Sequence, residues 1–346
     1  MQHIEAKNIL TSIIVVNYNG GSVLQECIES IFKETSGNFE VILIDNNSSD
    51  NSYLKCVEKF PKINLIENEQ NIGLAARNLG IDKAKGDYIV FLDSDTVVTN
   101  GWLENLIQSF KENGDGLYQP KLLDKKNPDL INSAGNLINI LGLGFSRGKG
   151  KKDTEEYNKF QEISYTSGAC TFTSKEIIKK IGKINKILFS YHDDLDYGWR
   201  GRLQMIPSYY EPKAVVFHLG SPTLKWSSKK FFYLERNRWI CLFYLYSTKT
   251  FIKIFPILFI LEIGMFFYFL SKGYGKEKIK AFNSILKLID QIKDLKKEIQ
   301  KVRILSDKEI IVNFVENFEI PTNLEKSSEK INKIIVFLSK MAKKII

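Results

Sequence analysis

The 346-residue chain has little of what metal and redox chemistry uses most: four cysteines, three histidines and four methionines. Cys27, Cys56, Cys170 and Cys241 are too far apart for a CxxC ligand pair and make no disulfide framework, so each reads as a small buried hydrophobe. Low-complexity, collagen-like and disordered classes are excluded, because only eight prolines accompany 44% hydrophobic and 26% charged residues. Long apolar runs are missing as well, apart from one, which excludes a multi-pass membrane protein. Charge of one sign is absent from the first two thirds: residues 1–230 carry 28 Lys+Arg against 28 Asp+Glu. The net +9 comes from the remainder, with 4 against 2 over residues 231–270 and 17 against 10 over residues 271–346. A neutral body with a basic tail speaks against nucleic acid as the partner. The polar opening residues 1–8 resemble no secretory signal, and a reducing, cytoplasmic location is expected.

What is present is an alternation of strand and helix. Ser12–Val16, Phe39–Ile44, Ile63–Ile66 and Tyr88–Leu92 read as strands, with helical spacing over Val23–Phe32, after Asp50 to Phe60, and over Asn71–Ala84. This pattern predicts βαβ units and a mostly parallel, doubly wound sheet flanked by helices. Beyond a helix near Trp102–Glu112 lies a Gly/Asn-rich stretch, Asn132 to Gly150. The charged segment Lys149–Lys159 reads as a mobile loop, either a solvated insertion or a substrate lid. Further strands are expected within Ser164–Thr173 and Ala214–Phe217, and a boundary near residue 228.

Ligands in open α/β sheets bind beyond the carboxyl ends of the strands. The unusual polar residues fall there: Asn17-Tyr18-Asn19-Gly20 after the first strand, Asp45 after the second, Asn68 and Asn71 after the third, Asp93-Ser94-Asp95 after the fourth. Asp93 and Asp95 stand two residues apart in extended chain and face one side, where carboxylates can share a hard divalent cation or divide between cation and sugar. A second constellation, Tyr191 to Arg200, crowds Asp193, Asp194 and Asp196 into four residues. Crowding and burial raise carboxylate pKa values, which suits a general base, although Asp also simply favours a helix N-terminus. His218 follows a strand and is either a core residue or a metal ligand.

Together these motifs resemble the inverting, nucleotide-sugar-dependent glycosyltransferases of family 2, with the GT-A fold. The likeness runs from Ile13–Gly20 through Val41–Asp50, Asn71–Gly80, Asp93-Ser94-Asp95 (the family's DxD), Ser167-Gly168-Ala169 and Asp193–Arg200 to His218. Its rhamnosyltransferase-like branch, which builds cell-surface polysaccharides and glycolipids, is closest in appearance. The resemblance implies that Asn17, Tyr18, Asn19, Asp45 and Asn71 hold the nucleotide, with Asp93 and Ser94 near the ribose. It places Arg77 beside the diphosphate, and Asp95 and His218 on Mg²⁺ or Mn²⁺. Gly168, Ala169, Trp199 and Arg200 fall on the acceptor side, although Trp199 reads equally as core. Asp194 takes the role of base. Asp193-Asp194 replaces the usual Glu-Asp, which leaves Asp193 as the other candidate. Glu235-Arg236-Asn237-Arg238-Trp239 is similar to the Gln-x-x-Arg-Trp of processive synthases, with Glu in place of Gln. The implied reaction moves one sugar to a hydroxyl of a lipid-linked or cell-surface glycan. Transfer to a polyprenyl phosphate, or donor binding without catalysis, are the alternatives.

The sequence divides into a catalytic part, 1–228, with a nucleotide-sugar half (1–100) and an acceptor half (101–228), and a helical tail, 229–346. Within the tail, Ile254–Leu270 contains only one charge, Glu262, and one proline, Pro256. It is short for a span, and a mid-membrane Glu is expensive. With its aromatic flanks and the lysines beyond Lys272 it suits a helix lying on the cytoplasmic face of a membrane. A hairpin packed on the catalytic domain, or on a second copy in a homodimer, is the other reading.

Overall fold

The computed structural model describes residues 9–220, 227–318 and 325–346. The reading of residues 1–8 lies outside the described residues. The first half runs β1 (Thr11–Asn17), α1 (Gly21–Glu34), β2 (Phe39–Asp45), α2 (Ser52–Lys59), β3 (Asn64–Glu67), α3 (Arg77–Lys83), β4 (Tyr88–Asp93), β5 (Thr96–Val98) and α4 (Trp102–Asn113). There follow β6 (Leu117–Asp124), β7 (Ile131–Ser133), β8 (Asn136–Ile138), β9 (Gly144–Ser146), β10 (Gln161–Ile163), β11 (Cys170–Ser174), α5 (Lys175–Ile181), α6 (Asp193–Leu203) and β12 (Ser208–His218). The tail is helical: α7 (Ser228–Leu245), α8 (Thr248–Ser271), α9 (Gly275–Lys287), α10 (Ile289–Val302), α11 (Asp307–Ile310) and α12 (Glu325–Ile345).

One sheet of ten strands organises the catalytic part, with β10-β12-β6-β11-β4-β1-β2-β3 in spatial order and β5 and β7 attached to β12 and β6. The β4-β1-β2-β3 half is wholly parallel, as the strand–helix alternation predicts. Its strands are apolar on both faces: Ile13, Val15, Val41, Leu43, Val90 and Leu92 pack on one side, and Ile14, Ile42, Ile44, Ile89 and Phe91 on the other. Beyond β4 the sheet is mixed, because β11 runs antiparallel between β4 and β6 while β12 pairs parallel with β6. Helix α3 is shorter than its spacing suggests: a 3₁₀ turn, Gly73–Ala76, precedes it.

Two differences from the sequence reading concern the second half. The charged segment after Lys149 is anchored rather than loose. Lys152 bridges Leu130, the Lys121 ammonium sits 2.9 Å from Asp153, and buried Tyr157 accepts a 2.9 Å hydrogen bond from Tyr210 on its carbonyl. The change of sequence character at residue 228 is not a break in packing. Ile138, Leu141, Leu195, Trp199 and Leu203 share one core with Ile240, Leu258, Ile292, Phe314 and Leu338 from the tail.

Candidate active site

The site forms where β1, β2, β4 and β12 end and the turn before α6 crosses them. Asn17 and Asp45 are register partners at the tips of β1 and β2. Both are buried and hydrogen-bonded to each other, with Asn17 Nδ2 donating to Asp45 Oδ1 at 2.9 Å. Asn17 also reaches Ser48 and Ser52 and accepts from the Gly20 amide at 3.1 Å, so it braces the donor-side loops. Asn19, in the left-handed region at φ 53°, accepts from the Ser49 amide at 2.7 Å. Tyr18, beside it, is 53% exposed and free to lie against a ring. Asn71 accepts from Asn46 Nδ2 at 3.0 Å and from the Gly73 amide at 2.9 Å. Asn46 is the buried hub of this wall, tying Asn68, Asn71, Ile72 and Gly73 together.

The acidic pair is positioned by sheet pairing. The end of β12 runs antiparallel to β5, with His218 opposite Thr96, and the Leu219 amide donates to the Asp95 carbonyl at 3.0 Å. This brings His218 Nε2 to 3.3 Å from Asp95 Oδ1, and ligand atoms of Asp93, Asp95 and His218 all lie within 4.8 Å of one another. On the far side of the ring, His218 Nδ1 is 3.0 Å from Asn132 Oδ1. With its Nδ1 proton donated to Asn132 Oδ1, the ring would turn the Nε2 lone pair to the aspartates, the arrangement of a metal-ligating histidine. Two carboxylates and an oriented imidazole fit a divalent cation such as Mn²⁺ or Mg²⁺. Ser94 lies between them, partly exposed.

Arg77 is a buried hub rather than an open cation. Its Nη2 donates to Asp93 Oδ1 at 2.6 Å and to the Gly168 carbonyl at 2.7 Å, its Nη1 lies 3.4 Å from Asp193 Oδ2, and the guanidinium stacks over Phe91. With 2% exposure it is committed to carboxylates, which corrects the expectation that it meets the diphosphate directly. Asp193 is buried beside it, while Asp194 is partly exposed and accepts from the amides of Gly168 at 3.2 Å and Leu195 at 2.8 Å. Burial raises the pKa of Asp194 and, with the neighbouring charge of Asp194, pushes Asp193 up to about 7 against the pull of Arg77. Asp93 is raised by burial too, again against Arg77. Gly168 lies against Arg77 and Asp194, and the Ala169 carbonyl accepts from the Asp93 amide at 3.0 Å. These two residues link Asp194 to Asp93.

Two acceptor-side expectations fail for the same reason. Trp199 is fully buried, edge-on to Tyr246 and Phe314 at 4.9 and 4.7 Å, and cannot meet a sugar. Arg200 pairs with Asp196 at 2.9 Å and donates to the carbonyls of Ile181 and Lys183. On α6, the residues five and six beyond Asp194 lie off its face and point into the core.

The turn before α6 carries features that the sequence does not advertise. Phe189, Tyr191 and His192 all have φ of 60–65°, a costly conformation for non-glycine residues. It is imposed from outside. Asn237 of α7, wholly buried, donates to the carbonyls of Leu188, Ser190 and Tyr191, each at 2.8 Å. Arg236 donates to the carbonyls of Ile187 and Leu188. From the other side the Leu74 amide reaches the Phe189 carbonyl at 2.8 Å, where Gly73 is required because a Cβ would stand 2.0 Å from that oxygen. Asn132 and Asn46 were likewise missed: they sit among many asparagines, and no spacing separates them from turn formers. Arg236 and Asn237 lay inside the noted Glu235–Trp239 motif, which gave no sign of the loop they bind.

The fold and this arrangement of acids define a glycosyltransferase domain of the GT-A kind. Residues 12–182 match the family described as glycosyl transferase family 2, and the domain belongs to it. The chain is 40% identical over 107 residues to glycosyltransferase GlyG of Streptococcus pneumoniae, covering 30% of this chain and 36% of GlyG. It is 38% identical over 101 residues to WfgD of Escherichia coli, a UDP-Glc:α-D-GlcNAc-diphosphoundecaprenol β-1,3-glucosyltransferase, covering 29% of this chain and 38% of WfgD. The matched segments thus span little more than a third of these relatives. Mannosyltransferase PcManGT of Pyrobaculum calidifontis, solved with GDP-Man and Mn²⁺, shares the fold at 13% identity, with a TM-score of 0.52 over 98% of this chain and 88% of its own.

Proposed function

We propose that the protein transfers a single hexose or deoxyhexose from a nucleotide sugar to a hydroxyl of a lipid-linked or cell-surface glycan, with inversion, at the cytoplasmic face of the membrane. The observation that carries the reading is the convergence of Asp93, Asp95 and His218 with Asp194, bridged by Arg77 and Gly168. Asp194 is the better base of the two candidates, because it is partly exposed while Asp193 is buried against Arg77. Its carboxylate takes the acceptor hydroxyl proton as that oxygen bonds to the anomeric carbon. The bond from this carbon to the diphosphate oxygen breaks on the opposite face, and the electron pair leaves with the nucleoside diphosphate. Asp95 and His218, with Asp93 beside them, would hold Mg²⁺ or Mn²⁺, which when bound offsets the charge gathering on the leaving group. Arg77 holds Asp93 and Asp193 in place through its two terminal nitrogens. Tyr18, Asn19 and Ser94 border the space for the nucleotide, and WfgD, a relative acting on a diphosphoundecaprenol-linked sugar, supports an acceptor of the lipid-linked class. The test is a panel of nucleotide sugars with the full chain and Mn²⁺, scored by thermal stabilisation and by release of nucleoside diphosphate. One donor should stabilise and turn over, and Asp95→Ala should lose both; no response to any donor would overturn the reading.

A further inference from the structure

The longest helix of the tail is apolar on both faces, and only one of them is covered. Helix α8 has 24 residues, about 36 Å of helix. Its inner face is fixed to the body along its length. Ile254, Leu258 and Leu261 enter the shared core, and Phe269 packs on Phe231 of α7 at 4.2 Å. Between them Glu262 is bound by Arg238 of α7 and by Lys278 of α9, the latter at 2.6 Å, while Lys278 also holds Glu235 at 2.8 Å. These cations keep the Glu262 carboxyl at about 2 despite its burial. The outer face presents Ile252, Phe255, Phe259, Ile263, Phe267 and Leu270, each between 45% and 66% exposed. Phe282 and Leu286 of α9 are more than half exposed as well. A row of bulky apolar residues on the outside of a helix that is apolar all round calls for an apolar medium.

The charges around this row choose between media. Residues 248–287 hold seven lysines against Glu262 and Glu277, and Glu262 is consumed inside. Lys249 and Lys253 lie at one end of the row, with Lys272, Lys276, Lys280 and Lys287 at the other and along α9, all exposed. A second copy meeting this face about a two-fold axis would set lysine against lysine. An anionic bilayer surface complements both the row and its fringe.

We propose that α8 and α9 form a monotopic docking face for an anionic bilayer, with α8 lying in the membrane plane and its outer aromatic row inserted among the lipids. Spanning is a poor alternative: turning α8 across the bilayer would strip Glu262 from Arg238 and Lys278 and leave buried charges unpaired. The inference rests on the membrane location in the transferase reading and names the surface that makes it; its test needs no sugar substrate, so sugar transfer and docking can each fail alone. The full chain is sedimented with vesicles of phosphatidylcholine, with and without phosphatidylglycerol. Binding should require the anionic lipid and weaken about tenfold or more in Phe259→Asp/Phe267→Asp. Phe259→Leu/Phe267→Leu should keep binding, and both variants should keep the wild-type melting temperature. Equal binding by the Asp variant, or no wild-type binding to either vesicle, would overturn the proposal. So would a wild-type dimer in sedimentation velocity that the Asp variant dissolves, or wild-type protein that alkaline carbonate fails to extract.

Discussion

The two walls of the site are built on opposite principles. The donor-side wall is made by its own strands: Asn17, Asp45 and Asn46 follow adjacent parallel strands and hold one another within a few residues of those ends. The base-side wall is held by a helix some fifty residues further along the chain, through Asn237 and Arg236 on the carbonyls of residues 187–191. The first is therefore stable with the sheet. The second keeps three non-glycine residues in the left-handed region and depends on the tail staying docked. The helical tail thus braces one wall of the candidate site.

The largest effect that sharpens this contrast belongs to Asp194, the proposed base. Asp194→Asn should lower kcat by about 10²–10⁴-fold with little change in donor affinity, measured by initial rates and donor titration. Retained activity would indicate a phosphate acceptor, which needs no deprotonation. The pH profile follows from burial. Because the Asp194 pKa is raised, its carboxylate form is lost as pH falls through a value above the ordinary carboxylate range, so kcat/KM should drop on an acid limb displaced upward. Stability runs the other way: with Asp193 shifted from 3.8 to about 7, the folded state binds the proton more tightly, so stability falls as pH rises through that window. Asp193→Asn should flatten that slope in melting curves taken at several pH values.

Metal affinity tests the hinge between the walls. Asn132→Ala removes the acceptor that orients His218 and should weaken Mn²⁺ binding about 10–100-fold by calorimetry, while Asn132→Asp should preserve it. Unchanged affinity would remove the cation from His218.

The walls also differ in how much of each could be read in the sequence. Strand-end residues of a parallel sheet are adjacent to apolar runs, so the β4-β1-β2-β3 half, with Asp45 and Asp93-Ser94-Asp95 at its strand ends, was legible from hydrophobic period, whereas the mixed half beyond β4 was not. The closeness of Asp193 and Asp194 was visible as charge crowding. What sequence could not give was direction. Nothing in Asp193–Arg200 separates the partly exposed Asp194 from Trp199, which helix geometry turns inward, and nothing in the spacing of Arg77 says that its guanidinium is spent on Asp93 and Gly168. The apolar run of α8 was legible, whereas the partners of Glu262 came from α7 and α9 and needed the fold.

A paired substitution breaks the comparison most directly. Asn46→Ala, on the donor wall, should raise the donor KM with a small change in kcat. Asn237→Ala should lower kcat about tenfold while donor KM holds, because it frees the loop that aims Asp194. It should also lower stability by about 1–3 kcal/mol in urea unfolding, since the carbonyls of Ser190 and Tyr191 lose the donor that Asn237 supplies. If both variants shift the same parameter, the walls are not independent.

The smallest effect is expected where the resemblance and the structure part most plainly. Trp199 is enclosed by Tyr246 and Phe314, so it can influence the acceptor only through packing. Trp199→Phe removes part of a filled core volume and an indole N–H that has no partner among the described residues. Stability should fall by about 1–3 kcal/mol, less than a truncation to Ala would cost. Acceptor KM should stay within about twofold of wild type, because no sugar touches the ring. A sugar platform would behave in the opposite way, losing stacking worth about 1 kcal/mol or more with little loss of stability. The ratio of the two measurements therefore decides whether the tail core merely supports the acceptor wall or forms part of its surface.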